Sequence, residues 1–292
     1  MPWTIPYFGE TEELNEAVRA SAPGSFVQLS DGFTHYELGG PPNGGPVVLV
    51  HGFSVPYFIW DPTFTFLTES GFRVLRYDLF GRGYSDRPKV RYDIDLFCKQ
   101  LRELLDTLGV ERFNLMGLSL GGPISATFTT RYPERVRKLV LIDPAGAKAV
   151  VLAKAIVSEI TPAVGGLVSS LFKNKGQAKE STSDFYAPEN TKAFVEKYMV
   201  HVKYKGFMRA ILSTMRNGML GDFSATYREV GELGTPALLF WGRDDQTVPF
   251  TYSQVILDAI PQVDFHAFDH CGHIPHYEKP DEANPLLLEF LK

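Results

Sequence analysis

From about residue 25 to residue 145, short β-rich runs alternate with helical patterns, and no other feature of the chain restricts its fold so tightly. Strands separated by helices pair through crossovers, so the economical architecture is a mostly parallel sheet with helices on its faces. Ser25 to Leu29 and Phe33 to Leu38 flank Asp31-Gly32, a dipeptide that predicts a hairpin. Pro46 to Val50 is a continuous apolar run, as expected of a strand buried on both faces, and Phe72 to Tyr77 and Arg112 to Met116 behave similarly. Between the last two, Asp93 to Leu108 places Leu96, Leu101, Leu104, Leu105 and Leu108 mostly on one helical stripe. Strand Val136 to Ile142 follows.

The alternation then stops. Residues 147–228 show Pro and Gly breaks and long helical patterns, which predict an inserted helical cap between two parts of the core, 1–146 and 229–292. Strand 236–241, helix 251–260, strand Val263 to Phe268 and a terminal helix near Asp281 to Leu291 resume the pattern. The cap carries a charge of +6 and the remainder −11. Its first segment is rich in apolar residues, among them Val150, Val151, Leu152, Ile156 and Phe172, and Met199, Met208, Met215 and Met219 follow. Methionine repacks readily around varied ligands, so these residues predict an adaptable apolar lining. The net charge of −5 disfavours nucleic-acid binding, which needs a basic face. Cys98 and Cys271 make no disulfide framework. With neither a basic and apolar leader pattern at residues 1–10 nor a run of 18 apolar residues, the expectation is a soluble cytoplasmic protein without stable membrane insertion.

Gly117-Leu118-Ser119-Leu120-Gly121-Gly122 follows a predicted strand and opens a predicted helix. This is the context of a G-x-S-x-G nucleophile elbow, in which small residues allow a sharp turn that lifts the serine hydroxyl out of the sheet. The new helix N-terminus aims amide donors at developing negative charge. The plainer alternative is a Gly-rich turn with an N-capping serine.

Four landmarks in order resemble an α/β-hydrolase over nearly the whole chain. They are Val50-His51-Gly52-Phe53, the segment Asp78 to Asp86 with its D-x-x-G-x-G-x-S pattern, the elbow, and Trp241 to Pro249 together with Cys271-Gly272-His273. The resemblance implies an α/β fold with a mostly parallel central sheet, flanking helices and an inserted cap. It also implies chemistry by Ser119 as nucleophile, His273 as base and an acid between them in the chain. The W-G-x-x-D pattern lands on Asp245; Asp244, adjacent, and Asp143, after the strand ending Leu141-Ile142, are the other candidates. His270 is the rival base, His51 is expected to be a structural residue of its turn, and His35, His201, His266 and His276 to be surface or packing residues. Backbone N–H groups of Phe53 and Leu120 map to the oxyanion hole, and Trp60, Leu118 and Ile274 are expected in the substrate pocket.

The absence of G-x-x-x-x-G-K-[ST], H-E-x-x-H and paired C-x-x-C motifs gives no sign of a nucleotide, metal or other cofactor. Ser119 excludes an aspartate nucleophile of the haloalkane dehalogenase type. The expected function is therefore a serine carboxylesterase or small lipase acting on small-molecule esters of short to medium acyl chains through an acyl-enzyme. Alternatives are a C–C bond hydrolase of aromatic ring-cleavage (meta-cleavage) products, which usually carries Asn and Trp where this chain has Leu118 and Ile274, a cofactor-free perhydrolase, and a ligand receptor on a hydrolase fold.

Overall fold

The computed structural model describes residues 9–149, 184–187 and 191–292. Its centre is an eight-stranded sheet of β1 (Ser25–Leu29), β2 (Gly32–Gly39), β3 (Pro46–Val50), β4 (Arg73–Tyr77), β5 (Phe113–Leu118), β6 (Val136–Ile142), β7 (Ala237–Gly242) and β8 (Asp264–Phe268). The order is β1-β2-β4-β3-β5-β6-β7-β8. β1 and β2 form the hairpin predicted at Asp31-Gly32, β2 pairs antiparallel with β4, and every later pairing is parallel.

The apolar strands bury both faces, and their two-residue period divides the core into two layers. Val48, Val50, Leu75, Tyr77, Leu115, Leu139, Leu141, Leu239 and Trp241 point to one side. Val47, Leu49, Val74, Met116, Val140, Ile142, Leu238 and Phe240 point to the other. The helix expected at 93–108 spans Ile94–Thr107; Asp93 caps it by accepting from the Leu96 N–H at 3.1 Å, and Leu96, Leu101, Leu104 and Leu105 are buried beneath it. Helix Pro280–Leu291 closes the chain against the other layer through Ala283, Leu287 and Leu291.

Of the expected cap, the described residues contain helices Lys192–Val202, Phe207–Arg216 and Ser224–Glu232. The last straddles the boundary expected at 228 and packs on the sheet-flanking helices Gly121–Arg131 and Ser253–Ala259. Met208 and Met219 are buried, and Met199 and Met215 are partly buried in the second layer. Val150, Val151, Leu152, Ile156 and Phe172 lie outside the described residues. Among the described residues, no helix is long and apolar enough to cross a membrane.

Candidate active site

The carboxyl ends of β5, β6 and β7 and the turn after β8 converge on one place. β5 ends at Leu118, and the chain reverses at Ser119 with φ of +52°, a left-handed value that a non-glycine residue adopts at a cost. Neighbouring backbone enforces the turn: a Cβ on Gly117 would stand 2.3 Å from the Gly121 carbonyl oxygen, and one on Gly121 would stand 2.2 Å from that of Val50. Ser119 N–H donates to Ile142 O at 2.9 Å, and its own carbonyl accepts from Gly122 at 2.9 Å and Ala145 at 3.0 Å. The elbow expected from the sequence is present, and the serine is held by its backbone while its hydroxyl is left to the cavity beyond.

That cavity, about 280 Å³, is lined by Gly52, Phe53, Ser54, Val55, Ile59, Leu118, Ser119, Asp184, Gln246, Thr247, His273 and Ile274. Gly52 sits over Ser119, since a Cβ there would lie 3.2 Å from Ser119 Cβ. A larger depression of about 650 Å³, lined by Asp106, Glu111, Arg112, Glu134 and Arg135, lies at the opposite ends of β5 and β6 and holds no nucleophile. Phe53, Leu118 and Ile274 are among the residues lining the Ser119 cavity. Trp60 is not: it is fully buried, with its ring on His276 at 4.5 Å between centroids, because the turn Tyr57–Trp60 directs it into the core.

His273 Nδ1 donates to Asp245 Oδ2 at 2.7 Å, which leaves Nε2 as the lone-pair nitrogen. That nitrogen is buried and has no hydrogen-bond partner among the described residues. The second Asp245 oxygen accepts from the backbone N–H of Thr247 at 2.7 Å and Val248 at 2.9 Å, so the carboxylate is locked in orientation. Asp244 is only partly buried, and His270 is exposed on its turn. Burial alone would lower the His273 pKa; the charge and hydrogen bond of Asp245, and then the charge of Asp184, raise it above the ordinary histidine value.

Asp143, the other acid candidate, is fully buried at the end of β6 with φ of +40° and accepts from Gly242 N–H at 2.9 Å. Ligand atoms of Asp143, Asp245 and His273 lie within 4.8 Å of one another. The spacing would suit a cation, but the Nδ1 bond to Asp245 commits that nitrogen to a proton. His51 is structural, as expected: Nε2 accepts from Leu79 N–H at 2.9 Å, and burial lowers its pKa to about 4. His35 and His201 are buried packing residues rather than surface ones.

Three participants escaped the sequence. Arg82 is fully buried and donates to the Phe53 carbonyl at 2.8 Å and to Thr214 Oγ1 at 2.9 Å, fixing the loop that covers Ser119; it stands inside a quoted motif without a role assigned. Asp184 brings a carboxylate to the cavity, accepts from Thr247 Oγ1 at 2.8 Å, and accepts from His273 N–H through its carbonyl at 2.7 Å. Glu278 accepts from Gly272 N–H at 2.9 Å with one oxygen, and with the other from Tyr186 at 2.9 Å and Ala187 at 3.3 Å, tying residues 184–187 to the histidine turn. Neither acid stands in a motif; only the fold brings them here.

Residues 45–280 match the family described as alpha/beta hydrolase fold. The chain belongs to that family. It is 27% identical over 276 residues to a 2-hydroxy-6-oxo-6-phenylhexa-2,4-dienoate hydrolase of Comamonas testosteroni, a match covering 90% of this chain and 93% of the relative. Among solved structures it is similar to a meta-cleavage product hydrolase from Pseudomonas fluorescens, with a TM-score of 0.75, 23% identity and coverage of 91% and 97%. It is also similar to an enol-lactonase from Burkholderia xenovorans, with a TM-score of 0.77, 22% identity and coverage of 91% and 99%.

Proposed function

We propose that this hydrolase cleaves small, uncharged carboxylic esters by a serine mechanism. The observation that carries the reading is a single cavity holding both the strained Ser119 and a histidine whose Nδ1 is anchored to Asp245 and whose Nε2 has no other partner among the described residues. His273 Nε2 takes the Ser119 proton as Oγ attacks the carbonyl, and the backbone N–H groups of Leu120 and Phe53 receive the oxyanion. His273 then protonates the departing alcohol, and water releases the acid by the same steps in reverse order. Asp245 holds the imidazole and stabilises its protonated form. Residues 147–228 are taken as a cap that shapes the acyl pocket.

The lining supports the substrate class. Among the described residues Asp184 is the one carboxylate that lines the cavity and neither Lys nor Arg does, so an anionic acyl group meets repulsion without a counter-charge. A volume of about 280 Å³ lies at the small end of ligand sites. A second reading, C–C bond hydrolysis of aromatic ring-cleavage products, is favoured by the activity for which the Comamonas testosteroni relative is named, on a substrate that is a carboxylate.

One experiment separates them: kcat/KM for p-nitrophenyl esters of graded chain length, a ring-cleavage product and a peptide amide, each with the native protein and Ser119→Ala. The ester reading expects the short neutral esters to lead and the alanine variant to lose about 10⁴-fold or more. A ring-cleavage product turned over faster than every ester would establish the second reading, and activity retained by Ser119→Ala would end both.

A further inference from the structure

Two buried carboxyl groups meet at the ends of neighbouring strands, and only one of them has a proposed role. Asp245 has its hydrogen bonds accounted for: Oδ2 receives His273 Nδ1, and Oδ1 receives two backbone N–H groups. Asp143 has one oxygen on Gly242 N–H, while Oδ2 is buried and receives no donor among the described residues. Beside Asp143 stands the Asp245 carboxylate, itself an acceptor, with carboxylate oxygens of the two within 4.8 Å of each other. Two carboxylates in contact inside a protein repel, and neither can donate to the other unless one keeps a proton. Asp245, engaged by three donors, is the one held ionised; the proton belongs on the oxygen that no donor reaches.

We propose that Asp143 is a positioning residue that stays protonated and donates an O–H···O bond to the Asp245 carboxylate, completing an acid–carboxylate–imidazole chain with His273. The inference rests on the serine-hydrolase reading of the site. The proton remains on Asp143 through turnover; nothing is transferred. Its effect is to hold Asp245 from a third direction and to draw off part of its negative charge, which moderates how strongly Asp245 favours the protonated imidazole. Burial, then the Asp245 charge, pushes the Asp143 pKa well above the usual carboxylate range, in keeping with a neutral acid. Left-handed backbone at Asp143 is the strain accepted to aim this carboxyl inward.

The charged and titratable groups facing this chain come from several elements. Asp184 acts on both His273 and Asp143 from residues 184–187; Cys271 lies near Asp143 in the histidine turn; and His276, following in helix Pro275–Glu278, faces His273. All are unchanged in two informative variants. Asp143→Asn is neutral and keeps both an acceptor for Gly242 and a donor for Asp245. Asp143→Gly removes the carboxyl and suits a φ of +40°.

The test is the kcat/KM–pH profile of both variants on a neutral ester. The expectation is that Asp143→Gly loses activity on the order of tenfold, the kinetic equivalent of one lost hydrogen bond to a charged group, and moves the acid limb to higher pH. Asp143→Asn should recover most of that activity with the native limb. If Asp143 were ionised, either variant would remove a negative charge, and the limb would move to lower pH; that result overturns the proposal. An Asp143→Gly profile identical to the native one overturns it as well, leaving Asp143 a purely structural residue. Activity surviving in Ser119→Ala would instead sink the parent reading, a separate failure.

Discussion

Asp78 offers a sharp test of how the segments that follow β3 and β4 are held. It is fully buried, with Oδ1 accepting from Tyr57 N–H at 2.9 Å and Oδ2 from Tyr84 N–H at 2.8 Å and His35 Nδ1 at 2.8 Å. The other His35 nitrogen donates to Pro23 O at 2.8 Å, so the ring is protonated and paired at both ends. Replacing Asp78 by Ala strands a buried imidazolium and two N–H groups, and breaking a buried pair in this way costs about 3–5 kcal/mol. With an unfolding entropy near 0.6 kcal/mol per degree for a chain of 292 residues, the midpoint should fall by about 5–8 °C in scanning calorimetry at pH 6. The pH dependence has a definite sign. Burial opposes the charged Asp78, but His35 outweighs it and brings the pKa down to about 2, so its stabilisation is present above about pH 4 and fades as pH falls toward 2. Burial likewise opposes the charged His35, and Asp78 raises its pKa above 6.5, so the stabilisation is full below that value and fades as pH rises through the folded pKa. The native protein's lead over the variant should therefore be widest between about pH 4 and 6.5. A midpoint drop under about 2 °C, or a lead that grows above pH 8, would refute the ion-pair account.

Two further outcomes concern the histidine. Asp245→Asn should lower kcat by about 10⁴-fold, as when the orienting carboxylate of a serine triad is removed, while Asp244→Asn changes it little; equal losses in steady-state assays would contradict the geometry. Because Asp184 contributes to the raised His273 pKa, Asp184→Asn should move the acid limb of the pH profile to lower pH and improve kcat/KM for an anionic ester relative to a neutral one; an unmoved limb would mean that its charge is not felt at the imidazole.

Much of the fold was legible because its strands are buried on both faces and flanked by turns with strong local chemistry. Predicted boundaries such as Val136 to Ile142 coincide with the strand found, and Asp31-Gly32 marks its hairpin. Ser119 and His273 stand in short motifs whose function depends on local backbone, so sequence finds them. Trp60 misled because a large aromatic near a motif looks the same whether it lines a cavity or fills a core; the short turn preceding helix Asp61–Glu69 decides which. Asp184 and Glu278 reach the site through partners far along the chain, and nothing local distinguishes them from surface acids; Asp143 is a candidate acid from its place after a strand, and only the fold sets its buried carboxyl beside Asp245.

The left-handed dihedrals at Ser119 and Asp143 carry a consequence for anyone who would toughen this enzyme. At both positions glycine would sit without steric cost, so a library screened for heat resistance alone would sample it without any penalty for the lost function. The first such substitution would erase the proposed nucleophile and the second the carboxyl beside the proposed acid. Backbone ease and side-chain chemistry thus pull in different directions at the same two angles, and a selection for heat resistance has to be run under pressure for turnover as well.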